Sequence, residues 1–249
     1  MLHRYKVLCC LHLLITFAMP AMSEERSVTL ESSEYPPFYG KELLNQGVIT
    51  EIVVKAFKKV EYKADVQFRP FARALSDGKD GKIDGVIALW HTHEREQWFA
   101  FSDPLPANQI GFYKRKDKTI RYKTLSDLAP YRIGVVTGYA VPPRFKEANL
   151  KTEDVSEDYK NLLKLQGNRF ELTLIDKWVA QYLIRNRYPH LEQELEWMEP
   201  PLEIKPQYLA FSIKSQGYKQ RLNDFNEGLQ QLKKTGELEA ILTKHGFSE

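Results

Sequence analysis

Val48, Ile52, Val53, Ala56 and Phe57 recur at helical spacing, with Lys55, Lys58 and Lys59 off that face, and predict a helix over 48–60. Ahead of it, Ser27 to Leu30 alternates weakly and predicts a strand. Glu34-Tyr35-Pro36-Pro37-Phe38 must be a loop, because consecutive prolines remove backbone donors. Val66 to Phe68 gives a second strand, and Pro70 opens a helix through Phe71, Ala72 and Leu75 that Gly78 and Gly81 close. Ile83 to Leu89 is an almost wholly apolar third strand, after which the chain turns polar at His91-Thr92-His93-Glu94-Arg95.

The pattern then restarts. Strands are predicted at Ile110 to Lys114, Arg132 to Val136, Glu171 to Ile175 and Tyr208 to Ile213. Helices are predicted at Leu125 to Leu128, Pro143 to Ala148, Lys177 to Asn186, Tyr218 to Lys233 and Glu237 to His245, with Gly236 breaking the last two. Alternation of this kind predicts an α/β fold with a mostly parallel sheet flanked by helices. Two such units joined by two chain crossings leave a cleft, and ligands of open sheets sit at the carboxyl ends of strands. Arg95, just past the strand that ends at Leu89, then points into the cleft to meet an anion.

Composition removes several function classes. Met1 to Lys6 carries Arg4 and Lys6, Val7 to Met19 is a short apolar run, and Ala21-Met22-Ser23 offers small residues for cleavage. Residues 1–23 therefore read as a secretory signal peptide, and the expected location is the periplasm. Both cysteines, Cys9 and Cys10, lie in this segment, so the remaining chain has neither disulfide nor thiol chemistry. Loss of Arg4 and Lys6 from 36 basic residues against 33 acidic ones leaves the rest nearly neutral, which gives no reason to expect nucleic acid as a partner. No Gly-x-Ser-x-Gly, phosphate-cradling glycine loop or cofactor motif is present. His91 and His93 form His-x-His, but a zinc site needs about three or four ligands and no further one is evident.

Six residues stand out as ligand-binding candidates. Arg95 can grip a carboxylate bidentately, the alternative being a surface pair with Glu94 or Glu96. Tyr35, Trp90 and Tyr139 end loops or strands where aromatic rings could clamp a flat or cationic group, although Trp90 also reads as buried packing. Phe38 reads as core. Arg73, one turn into the helix after Pro70, is a second anion contact or part of a solvated helix face. Asp176 follows a strand and starts a helix, where aspartate is a favoured N-cap.

The chain resembles the family 3 extracytoplasmic solute-binding proteins, known as receptors for polar amino-acid ABC importers. The resemblance rests on Tyr35-Pro36-Pro37-Phe38, Gly81-Lys82-Ile83-Asp84-Gly85, Thr92-x-Glu94-Arg95 and Phe101-Ser102-Asp103-Pro104. It continues through Leu125-Ser126-Asp127-Leu128, Ile133-Gly134-Val135 with Gly138, and Gly167-x-Arg169-x-Glu171 with Asp176 after it. It implies the two-lobed type II periplasmic-binding fold, with lobe 1 formed by 24–112 and 210–249 and lobe 2 by 113–209. It further implies that Arg95 pairs with a ligand carboxylate, that Asp176 binds an α-amino group and that Tyr35 covers the ligand's side chain.

Two stretches depart from that pattern. Ala88-Leu89-Trp90-His91 and Tyr139-Ala140 stand where the family offers compact hydroxyl or glycine residues, so bulky aromatics replace small donors. The implied function is capture of a small polar, amino-acid-like or carboxylate-bearing molecule by a monomer. The implied partner is a membrane permease or the periplasmic domain of a sensor, and no cofactor is implied. Some proteins of this fold are dehydratases acting on cyclic precursors of aromatic amino acids. Their glutamate shortly after the strand-end aspartate has no counterpart in Lys177-Trp178-Val179-Ala180.

Overall fold

The computed structural model describes residues 26–137 and 141–247. The predicted signal segment and Tyr139 lie outside the described residues. In chain order the strands are β1 (Arg26–Ser32), β2 (Tyr62–Phe68), β3 (Gly85–Leu89), β4 (Phe99–Phe101), β5 (Leu105–Arg115), β6 (Arg132–Val136), β7 (Lys151–Val155), β8 (Leu172–Asp176) and β9 (Leu195–Ser212). The helices are α1 (Val48–Lys59), α2 (Phe71–Asp80), α3 (Pro143–Glu147), α4 (Asp158–Gln166), α5 (Lys177–Arg187), α6 (Tyr218–Lys234) and α7 (Glu237–Lys244).

The strands form one sheet of order β2-β1-β3-β9-β5-β8-β6-β7, with β4 also on β9. Each half holds three parallel strands, β2-β1-β3 and β7-β6-β8, and meets the other through the antiparallel pair β5 and β9. The sheet is thus mixed. The expected crossings near residues 112–113 and 209–210 fall inside these two long strands.

The predicted apolar face of α1 is the core of the first half. Ile49, Ile52, Val53, Ala56 and Phe57 are fully buried, together with Leu30 of β1 and Phe225, Leu229 and Leu232 of α6. Burial of each such side chain stabilises the fold by about 1.5–3 kcal/mol. The helices approach so closely that a Cβ on Gly228 would lie 2.0 Å from the Ala56 carbonyl oxygen, so glycine is required there. The other side of this half packs Ala74 of α2 against Val86, Leu89, Phe99 and Ala210. In the second half Phe112, Ile133, Leu172 and Phe145 form one cluster, while α4 and α5 extend the first.

The C-terminal helix is clamped to α1 by Glu51, which is buried and accepts hydrogen bonds from Asn45, Lys244 and His245. Burial alone would raise its pKa; the hydrogen bonds from His245, Asn45, Lys244 and Lys55 override it and hold the carboxylate down at about 2. Beyond the clamp, Phe247 lies 5.2 Å from the Phe38 ring and stacks on Trp178 of α5 at 4.7 Å. One ring thereby bridges the loop after β1 and a helix of the other half.

Three expectations are corrected. Gly78 does not close α2; the helix runs through it to Gly81, whose left-handed backbone (φ 76°) ends it. Gly78 instead gives room to Phe99, whose ring would lie 2.7 Å from an added Cβ. The strand expected at Tyr208 to Ile213 is only the end of β9, which extends back to Leu195 despite Pro200, Pro201 and Pro206. And β7 and α4 occupy a stretch for which the sequence suggested no element.

Candidate functional site

The site is built where β3 ends. Ala88 has a left-handed backbone (φ 62°), and the pairing of β3 with β9 shifts register between Val86 and Leu89. A non-glycine residue in this conformation costs about 1–2 kcal/mol, and an irregularity of this kind redirects the chain that follows. Trp90, half-buried, then donates from Nε1 to Asn108 Oδ1 of β5 at 2.9 Å. Asn108, only 2% exposed, in turn donates from Nδ2 to Asp176 Oδ2 at 3.0 Å. A single hydrogen-bonded line joins the end of β3, the crossing strand β5 and the end of β8.

Arg95 closes the turn after Trp90. Its N–H donates to the Thr92 carbonyl at 3.0 Å and to the Thr92 hydroxyl at 3.3 Å. Its Nη1 donates to the Trp90 carbonyl at 2.6 Å, and its guanidinium lies 6.0 Å from the Phe71 ring centroid. Among the described residues it forms no ion pair. Glu96, one of the two acids expected to pair with it, is held by His91 Nε2 at 2.7 Å and His93 Nδ1 at 2.8 Å. Burial lowers the Arg95 pKa, opposed only by the charge of Glu94. A half-buried guanidinium without a carboxylate is an unmet demand for an anion.

A second cation contacts Trp90 from its ring side. Lys205 of β9 is the register partner of Asn108, and its Nζ sits 4.2 Å over the Trp90 ring. Neither Asn108 nor Lys205 was singled out from the sequence. They are polar residues of two crossing strands, brought together only by antiparallel pairing.

Asp176 is sealed. It is 3% exposed and caps α5, its Oδ1 accepting from Trp178 N at 2.8 Å and Val179 N at 3.1 Å. Oδ2 accepts from Asn108 Nδ2 and, at 3.1 Å, from Gln109 N. These bonds use the acceptor capacity of a carboxylate, so the capping alternative describes it better than an open ammonium site. Burial pushes its carboxyl up to about 7, against the opposing pull of the Asn108 amide and the three backbone donors. The folded pKa is raised above the ordinary 3.8, so the stability this group contributes is complete below that value and is lost as pH rises through about 7. In a carbon-detected NMR titration the Asp176 carboxyl is expected to titrate near neutrality; a midpoint below pH 4 would contradict this.

Tyr35 stacks on the fully buried Phe38 at 5.7 Å, so Phe38 is core as expected. Tyr35 also lines a cavity of about 270 Å³ with Ser156, Asp158, Tyr159 and Tyr182, and neither Trp90, Arg95 nor Asp176 shares that lining. Arg73 does not join the group. It pairs with Asp77 at 2.5 Å, beside Arg69 and Lys82, in a groove that holds no other candidate. A larger groove, about 780 Å³, runs along Lys114, Lys118 and Trp197 and is likewise free of candidates. Among the described residues no cluster of metal-ligating side chains occurs, and no helix is long and apolar enough to cross a membrane.

The profile of the bacterial extracellular solute-binding proteins, family 3, matches residues 28–248. No curated protein matches the chain in sequence. The GluR0 ligand-binding core from Nostoc punctiforme in complex with L-glutamate is similar in structure at a TM-score of 0.67 and 20% identity, over 89% of this chain and 100% of that one. The second substrate-binding domain of a putative amino acid ABC transporter from Streptococcus pneumoniae is similar at 0.71 and 21%, over 88% and 99%. A histidine kinase sensor domain with similarity to periplasmic binding proteins is similar at 0.64 and 19%, over 88% and 96%. The chain belongs to the family 3 bacterial extracellular solute-binding proteins and has their two-lobed type II α/β fold.

Proposed function

We propose that the protein captures a small carboxylate-bearing molecule between its lobes in the periplasm and delivers it, as a monomer, to the permease of an ABC importer. The observation that carries this reading is Arg95, a half-buried guanidinium with one carbonyl partner and no ion pair among the described residues. Lobe 1 comprises residues 24–112 and 210–249 and lobe 2 the segment between, with Tyr35, Trp90 and Arg95 on the first side. Closure follows from contacts that a ligand makes with both lobes only when they meet. Asp176 acts in this scheme by fixing Asn108 and the start of α5. The similarity to a histidine kinase sensor domain favours a second reading, in which the closed form is read by a signalling protein.

A thermal-shift screen with small carboxylates tests the proposal. A ligand that binds only the folded state raises the melting temperature, by about 2.7 kcal/mol of added stability at a hundredfold excess over its Kd. A screen in which no carboxylate moves the transition, while a cationic or neutral solute does, would refute it.

A further inference from the structure

We infer that the ligand is an organic anion without an ammonium group, and that Lys205 is its second cationic contact beside Arg95. This rests on the reading above, in which the ligand meets Arg95. Arg95 and Lys205 bracket one residue: the first holds the Trp90 carbonyl and the second covers its ring. Among the described residues neither cation has an ion pair with a carboxylate, so two uncompensated positive charges contact the same residue at the end of β3. A ligand with two negative groups neutralises both.

The groups that would hold a ligand cation are already occupied. A carboxylate receives an ammonium through an open lone pair, yet Asp176 accepts four protein hydrogen bonds and is closed to solvent. An indole face is the other natural cation acceptor, and Lys205 already covers one face of Trp90. Glu96 is engaged by two histidines, and Glu94 lies beside Arg95 without forming an ion pair. An ammonium brought here would meet Lys205 and Arg95 as like charges. An amino acid thus loses on its amino group what it gains on its carboxylate, and a dicarboxylate does not.

The test is calorimetry on the intact protein with pairs that differ only in the amino group: glutarate against L-glutamate, and succinate against L-aspartate. The unaminated member is expected to bind more than about tenfold tighter, equivalent to one factor of 1.4 kcal/mol. Lys205→Gln is expected to weaken it by about tenfold or more, with Lys205→Arg restoring most of the loss and both variants melting near the wild type. Tighter binding of the aminated member, or an unchanged affinity in Lys205→Gln, overturns the inference and leaves the carboxylate reading intact. Absence of binding by every pair counts against the inference too. Binding of any of these acids that is indifferent to Arg95→Gln would overturn the carboxylate reading itself.

Discussion

Arg95→Ala is expected to weaken binding of the ligand by at least about a hundredfold while leaving the melting temperature within a few degrees of the wild type. A guanidinium that grips a carboxylate bidentately makes two charge-assisted hydrogen bonds, each worth about 1.5–3 kcal/mol. Each 1.4 kcal/mol is a factor of about ten in Kd, so loss of both bonds removes two or more powers of ten. The cost to folding is small, because the side chain makes one hydrogen bond, to the Trp90 carbonyl, and no ion pair among the described residues. Arg95→Lys separates charge from geometry: it keeps the cation, lacks the planar fork and is expected to recover only part of the loss. An unchanged dissociation constant in Arg95→Ala, measured by calorimetry, would remove Arg95 from the site.

Phe247→Ala carries the second large effect. The ring is 8% exposed and lies between Phe38 and Trp178, one from each half of the sheet. Truncation of a buried phenylalanine costs about 3–5 kcal/mol, and the low end is expected for a ring that keeps some exposure. For a protein of this size that corresponds to a fall in Tm of roughly 6–12 °C. The loss has a second signature. With the bridging ring gone, the two halves lose a contact that requires no ligand, so the ligand-free protein is expected to open further by small-angle scattering. A Tm within about 2 °C of the wild type, or an unchanged scattering profile, would show that the ring is an ornament of the tail rather than a joint.

The sequence was most legible where one face of an element is strongly apolar. The helix over Val48–Lys59 and the strand Arg132–Val136 follow directly from that pattern. It failed where the pattern is thin. Lys151–Val155 buries only Val155, and Asp158–Gln166 presents Leu162 and Leu165 within a largely polar run. It was silent again around Pro200, Pro201 and Pro206, which sit in a strand that tolerates them through register shifts in its pairing with β5. The site shows the same division. Trp90 and Arg95 were singled out by the rule that ligands of open sheets sit at strand ends, whereas Asn108 and Lys205 become neighbours only through pairing of distant strands. The sealing of Asp176 was half-visible, since an aspartate between strand and helix is a capping residue before it is anything else.

The strand from Leu195 to Ser212 also sets the order in which the molecule can be completed. Its early residues finish the second half of the sheet, and its last residues, with α6 and α7, finish the first. A chain emerging from its N-terminus therefore carries the apolar stripe of Val48–Lys59 only partly covered until Phe225, Leu229 and Leu232 of α6 have followed. The half of the sheet that is synthesised first is therefore the half that is completed last.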